Sequence, residues 1–438
     1  MSERGMFFRD VAPSVMAFAL SGVYTIVDGF FVGNSLGDNG LAAINLGFPI
    51  AAFIQAAGTG AGLSGAIRFT ILLGQKRENE ARACFSSTVL LLALISILLT
   101  GGIFAALSPL LRLLGAEGEL LRLTADYIWV IALGAVFQAF ATGLVPFIRN
   151  LGGAGFAMWA MIAGFVTNIG LDYLFVWVYG LGMAGAAWAT VIGQLVTLLW
   201  NLRYYLTGRR SLIALRLSRM PLRWVIDAEI LGVGVSEFAR QGALTVANTI
   251  LMNQISRYGS ALYIAAYAIM MKVSSIAVMP IFGIGQGMQP IVGYCYGAGL
   301  YGRARKAIEI ALLSATVITV TGEIILLGFP HVFVRAFTDD AEVIRLTVWG
   351  VRILQSTFAI IGFQIVGTVT FQALGFAGPA LFLSLSRQVI FFIPSLLVLP
   401  RFFGVAGVFL SYPVADVCAC FVTLALLMAL IFQPRAKE

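Results

Sequence analysis

Charge is what this sequence has least of. Only 11% of its 438 residues are Asp, Glu, Lys or Arg, against about 25% in a soluble domain. With 60% hydrophobic residues the chain cannot cover itself with polar surface, so lipid is its solvent. Histidine is nearly missing. His331 is the single one, at a predicted helix end, which excludes a His-based triad and leaves intramembrane proton chemistry to carboxylates. Cysteines are few and scattered: Cys84, Cys295, Cys418 and Cys420. Cys418 and Cys420 have no further Cys or His nearby to complete a metal site, and read as packing residues. No G-x-x-x-x-G-K-[ST] segment occurs, so ATP does not drive work within this chain. Strands of alternating polarity about ten residues long, the mark of a membrane barrel, are missing. Nothing at Met1–Asp10 resembles a cleaved signal, because the apolar run behind it is long enough to span.

Long apolar runs are what remains. They fall at about 11–32, 40–66, 86–108, 124–147, 154–178 and 184–206, then at about 228–252, 262–289, 307–330, 345–371, 378–399 and 404–431. A helix needs about 20 apolar residues to cross a bilayer, and helix is the open-ended structure that satisfies every backbone group in lipid. The reading is an all-α polytopic membrane protein with about twelve transmembrane helices. Basic residues lie mostly in alternate connections. With the N-terminus inside, inner segments hold eighteen Lys and Arg and outer segments six. This bias puts both termini in the cytoplasm. Such a distribution is a signature of membrane orientation and not of a nucleic-acid stripe, although the net charge is +8.

The chain also repeats. A shift of 223 residues lays Ala42–Ala43 on Ala265–Ala266, Gly60 on Gly283, Gly62 on Gly285, Gly74 on Gly297 and Leu151–Gly152 on Leu374–Gly375. With one residue of slip, Gly182 and Gly185 fall on Gly404 and Gly407. Two six-helix lobes related by pseudo-two-fold symmetry are therefore expected, at 1–206 and 227–438, joined by a basic cytoplasmic linker at 207–226. An even number of spans gives both lobes one orientation, as in transporters that rock two bundles.

Acids inside the spans are the candidates for function. Asp28 lies in the first apolar run, where an ionised Asp costs about 2.5–3.5 kcal/mol on insertion scales; Tyr24 precedes it by one turn. Asn168 and Asp172 share a face of the fifth span. They are either a polar patch joining two helices or part of a cation or proton site. Two acids of one half, packed together, resist joint ionisation and make a natural acceptor for H⁺ or Na⁺. Thr190 in the sixth span can add a hydroxyl oxygen, or simply bond its own backbone. Glu237, at the opening of the seventh span, is followed by Arg240 and Gln241, so a neutralised pair and a substrate role both stay open. Lys272, Glu323 and Arg387 can neutralise acids or reach for the interface. Asp416 is a second site or a packing acid. Met252 and other methionines either line an adaptable cavity or pack. The Gly60–Gly65 segment matches G-x-G-x-x-G but follows no strand, so it reads as close helix packing.

Three stretches carry a family resemblance: VDGFFVGNSLGDNGLAAINLGFPI, NIGLDYLFVWVYGLGMAGAAWATVIGQ and SRQVIFFIPSLLVLPRFFGVAGVFLSYPVAD. They resemble the multidrug and toxic compound extrusion (MATE) family of cation-coupled antiporters, closest to a branch with staphylococcal exporters, and the likeness covers the whole chain. It implies a V-shaped, monomeric protein of two lobes in a prokaryotic inner membrane. Organic, cationic and amphipathic compounds leave in exchange for H⁺ or Na⁺, with no other cofactor. The resemblance further implies that Asp28, Asn168, Asp172, Thr190 and Tyr24 form one cation site, which can hold Na⁺ at the first four. Candidates for the substrate cavity are Glu237, Arg240, Met252, Lys272, Gln364 and Arg387. Some relatives carry a cation-binding acid in the tenth helix. Here that helix reads TFAIIGFQIVGTVTFQALG, with Gln364 and Gln372 and no acid, so coupling is expected through the first lobe. Flippases for lipid-linked sugars share this architecture and are the alternative, but they call for a cationic cavity that grips pyrophosphate. A non-transporting membrane receptor would need neither the duplication nor the buried acids.

Overall fold

A computed structural model describes residues 3–207 and 224–430; the side chains at 28–39 and 224–233 are among those outside the description. Asp28 and the linker arginines (Arg209, Arg210, Arg216, Arg219 and Arg223) therefore lie outside the described residues. Among the described residues no strand forms. The first half comprises α1 (Glu3–Gly74), α2 (Glu78–Leu113), α3 (Gly118–Leu133), α4 (Ala135–Asn150), α5 (Ala154–Asp172), a π turn (Tyr173–Val178) and α6 (Gly182–Thr207). The second half comprises α7 (Trp224–Tyr258), α8 (Ala261–Gly297), α9 (Tyr301–Gly328), α10 (Pro330–Arg335), α11 (Ala341–Leu354), α12 (Phe358–Ala373) and α13 (Ala377–Leu385). A π turn (Ser386–Phe392), α14 (Ile393–Phe403) and α15 (Val405–Leu430) complete it.

Among the described residues eight helices are long and apolar enough to cross a membrane, and ten spans result when the pairs α3–α4 and α11–α12, bent by 54° and 55°, are each taken as one broken span. The two remaining runs lie in the first arm of α1 and in α7. Straight, the 72 residues of α1 would reach about 108 Å. Yet Tyr24 stacks on Phe165 of α5, while Ile50 and Ile54 share a core with Ala187 and Val191 of α6. In a straight helix Tyr24 and Ile50 would be about 39 Å apart, so α1 doubles back between them into two arms, the first and second predicted spans. The expected break at 33–39 is instead helical backbone.

The repeat holds element by element. Helices α3, α4, α5 and α6 begin at Gly118, Ala135, Ala154 and Gly182; α11, α12, α13 and α15 begin 223 residues later, at Ala341, Phe358, Ala377 and Val405. Both broken spans are braced by a neighbouring helix, since lipid offers nothing to the freed backbone groups. Glu323 of α9 accepts the Ala359 N–H at 2.6 Å, and Thr319 donates to the Ala359 carbonyl at 2.8 Å. In the first half Thr100, which is 223 residues before Glu323, donates to the Ala132 carbonyl at 2.9 Å.

By contact the chain divides into two compact units, which do not follow the halves of the sequence completely. One holds Leu20–Phe238 with Gly297–Gly299; the other holds Met1–Ala19, Ala239–Tyr296 and Leu300–Glu438. Small residues make this possible. A side chain on Gly283 or Gly287 of α8 would strike Val15 or Val11 in the first turns of α1. In the other unit Gly60 abuts the Gly234 carbonyl of α7, and Gly58 and Gly62 abut Ala139 and Gly143 of α4. Such contacts let membrane helices approach closely where no hydrophobic drive exists between them.

Two substitutions test this framework. Lys76 sits at φ +60°, where its repeat partner Gly299 sits at +73°. The two close the same motif: Arg77 N–H bonds the Leu72 carbonyl and Leu300 N–H the Cys295 carbonyl, at 2.9 and 2.8 Å. A side chain at positive φ costs about 1–2 kcal/mol, partly offset by the chain entropy of glycine, so Lys76→Gly stabilises the protein by about 0.5–1 kcal/mol, read as a higher unfolding midpoint in detergent. Glu323→Leu orphans the Ala359 N–H and lowers stability by about 1–3 kcal/mol. Glu323→Gln, which keeps an acceptor, loses less in the same measurement.

Candidate cation site

Helices α5 and α6 meet at two glycines. A Cβ on Gly193 would lie 2.9 Å from the Gly164 carbonyl oxygen and 3.0 Å from Asn168 Cβ. This approach delivers Asn168 to Thr190. Asn168 and Asp172, one turn apart on α5, are 2% and 0% exposed. With its amide set to satisfy its neighbours, Asn168 donates to Asp172 Oδ2 at 3.1 Å and to Tyr24 Oη at 3.0 Å, and accepts from Thr190 N–H at 3.1 Å. The reverse setting offers a single long contact, 3.5 Å to Thr190 Oγ1. Thr190 also donates to the Ala186 carbonyl at 3.1 Å, so it is both backbone-bonded and part of the site. Tyr24 is held by its stack on Phe165, ring centroids 4.6 Å apart. Directly after Asp172 the helix widens into its π turn, a distortion frequent at functional sites.

The structure thus brings together Tyr24, Asn168, Asp172 and Thr190 from three spans. They offer one carboxylate and neutral oxygens, a donor set for a proton or a hard cation. Asp28, on the same arm as Tyr24, is outside the described side chains. Among the described residues no group of three His, Cys, Asp or Glu gathers as metal ligands.

The other candidates stand elsewhere. Glu237 lies thirteen residues into α7, which starts at Trp224, and not at the opening of the span as expected: the helix extends further into the basic segment than hydropathy indicates. It packs beside Gly60. Arg240 follows one turn later, just past the boundary between the units. Met252 packs against the core of Leu251, Ile255, Tyr267 and Phe409. Lys272 is exposed, with its Nζ 5.8 Å above the Phe337 ring. Gln364 is 6% exposed, and its carbonyl accepts from Thr368. Arg387 pairs with Asp416 at 2.6 Å, a pairing that sequence spacing does not reveal. Residues missed at first are Phe165, which orients Tyr24, and Gly164 with Gly193. The signal for the glycines was present: each stands within one turn of a named site residue.

The MatE family model matches residues 13–174 and 240–397. The multidrug export protein MepA of Staphylococcus saprophyticus is 28% identical over 421 residues, 95% of this chain and 91% of that protein. MepA of Staphylococcus aureus is 26% identical over 411 residues, 93% and 90% of the two chains. The MATE multidrug transporter DinF-BH, solved in complex with a small molecule, superposes with a TM-score of 0.89 at 34% identity, covering 97% of this chain and 95% of its own. Both halves of the chain match, and the protein belongs to the MatE family as a multi-pass MATE multidrug efflux transporter.

Proposed function

We propose that the protein is a cation-coupled antiporter. It exports organic, cationic and amphipathic compounds in exchange for H⁺ or Na⁺, works as a monomer in the inner membrane, and keeps both termini in the cytoplasm. Its lobes are residues 1–206 and 227–438, joined by the basic linker at 207–226. The observation that carries the reading is the fully buried Asp172, hydrogen-bonded to Asn168 and gathered with Tyr24 and Thr190. In a membrane span such an acid is expensive and marks an ion pathway. Asp28 is proposed as the second carboxylate of this site. The structure of DinF-BH in complex with a small molecule supports a small-molecule substrate.

Depth supports the direction of flow. Asp172 is six residues, about 9 Å, from the end of its span at Val178, where Trp177 and Tyr179 are exposed, as aromatic residues of an interfacial belt are. In the proposed orientation that end faces outward, so an external cation has a short way to travel. Binding there neutralises the site. For coupling, cation and substrate must favour different states of the protein, and each weakens the other's binding by the same factor.

The test is uptake of an organic cation dye into inverted vesicles, with Na⁺ and pH gradients imposed separately. One gradient drives accumulation, and Asp28→Asn and Asp172→Asn each abolish it. Full gradient-driven export in both variants would overturn the reading, and no uptake under either gradient would favour a lipid-linked sugar flippase. A second expectation concerns Gly193. Gly193→Val pushes Asn168 off Thr190 and cuts gradient-driven uptake at least tenfold, while dye binding to the purified protein changes less than threefold.

A further inference from the structure

The second unit holds a polar cluster on the counterpart helices. The cation site is built from the first arm of α1, from α5 and from α6. Their repeat partners are α7, α13 with its π turn, and α15. There Arg387 Nε, in the π turn, donates to Asp416 Oδ1 at 2.6 Å, and the Asp416 side chain is 3% exposed against 25% for Arg387. Tyr412, one turn before Asp416, shares a 2.8 Å hydrogen bond with the Tyr267 hydroxyl, which donates to Asn248 of α7 at 3.4 Å. The register is informative. Gly182 and Gly404, which align with one residue of slip, have φ of +61° and +58°, and the same slip sets Tyr412 on Thr190. Both units therefore place a hydroxyl at one position of the closing helix and a buried carboxylate close to it.

The two differ in what meets the carboxylate. Among the described residues, those gathered with Asp172 are an amide, a phenol and a threonine. Asp416 meets the guanidinium of Arg387, a cation carried by the chain itself. The charged and titratable groups acting on Asp416 are Arg387, Tyr412 and Cys420, with Tyr267 behind Tyr412. Of these, only Arg387 is a cation.

We propose that Arg387 is a tethered counter-ion: in the second unit it permanently fills the place that an exchangeable cation takes in the first, and so limits the transporter to one ion-coupling carboxylate site. The proposal rests on the antiport reading above. It follows from the chemistry of the pair. A buried carboxylate that has lost its partner is strongly destabilised unless something neutralises it, so removal of the guanidinium converts Asp416 into an acceptor for a free cation.

The experiment uses the purified full-length protein in two measurements. In proteoliposomes, an organic cation dye gradient is balanced against a pH or Na⁺ gradient until net flux is zero, which gives cations exchanged per dye. Arg387→Gln raises that ratio by one, whereas Arg387→Lys and the double variant Arg387→Gln/Asp416→Asn keep the wild-type value. An unchanged ratio in Arg387→Gln overturns the proposal. In detergent, unfolding midpoints are followed against pH and Na⁺ for the same variants. By mass action, Arg387→Gln gains stability as pH falls or Na⁺ rises, beyond any such gain in the wild type, and the double variant does not. An Arg387→Gln protein that is destabilised equally at every pH and Na⁺ concentration, beside a stable double variant, also overturns it. If the wild type shows no gradient-driven flux, the antiport reading has failed by itself, and the unfolding series still decides whether Asp416 accepts a cation.

Discussion

Lipid offers no hydrogen bonds, and most of the structure answers to that constraint. A backbone group freed at a bend, or a carboxylate carried into a span, must find its partner within the protein. The chain meets the demand locally and repeatedly. Glu323 and Thr100 cross from neighbouring helices to brace the two broken spans, threonines along α4, α6, α9 and α15 return their hydroxyls to carbonyls one turn back, and Asn168 serves three groups at once. A site in such surroundings responds to any added charge, because no solvent screens it.

Duplication supplies the scaffold, and divergence supplies the function. The bends, the helix starts and the glycine motif at Gly152 and Gly375, with φ of +81° and +77°, survive in both halves. What differs among the described residues is the chemistry between corresponding helices: an acid bonded to an amide in one unit and an acid clasped to an arginine in the other. Helix-to-helix packing tolerates both, since small residues set the approach and leave the polar positions free to change.

Much of the architecture was readable in the sequence because membranes impose coarse rules. Apolar runs of the right length and a constant offset of 223 are insensitive to detail. The pair Asn168 and Asp172 was readable for a related reason, since helical spacing alone puts them on one face. Contacts between distant segments were less accessible. Nothing in the spacing of Arg387 and Asp416 announces their pairing, because it depends on the rotation of a π turn. The role of Glu323 as a brace depends on where α12 restarts after its bend. The continuity of α1 through 33–39, and the early start of α7 that buries Glu237 within the helix, escaped because hydropathy marks where lipid ends and not where a helix ends.

The exchange of segments between the units has a consequence for biogenesis. The unit centred on Leu20–Phe238 includes the early part of α7, and the other unit includes the first turns of α1. During synthesis the first bundle remains short of a helix until the chain beyond the basic linker has emerged and threaded back to Gly60. The opening turns of α1, meanwhile, wait for α8 to present Gly283 and Gly287. Neither half of the polypeptide thus holds every segment of one compact unit, so each unit can close only once segments from both halves have been made.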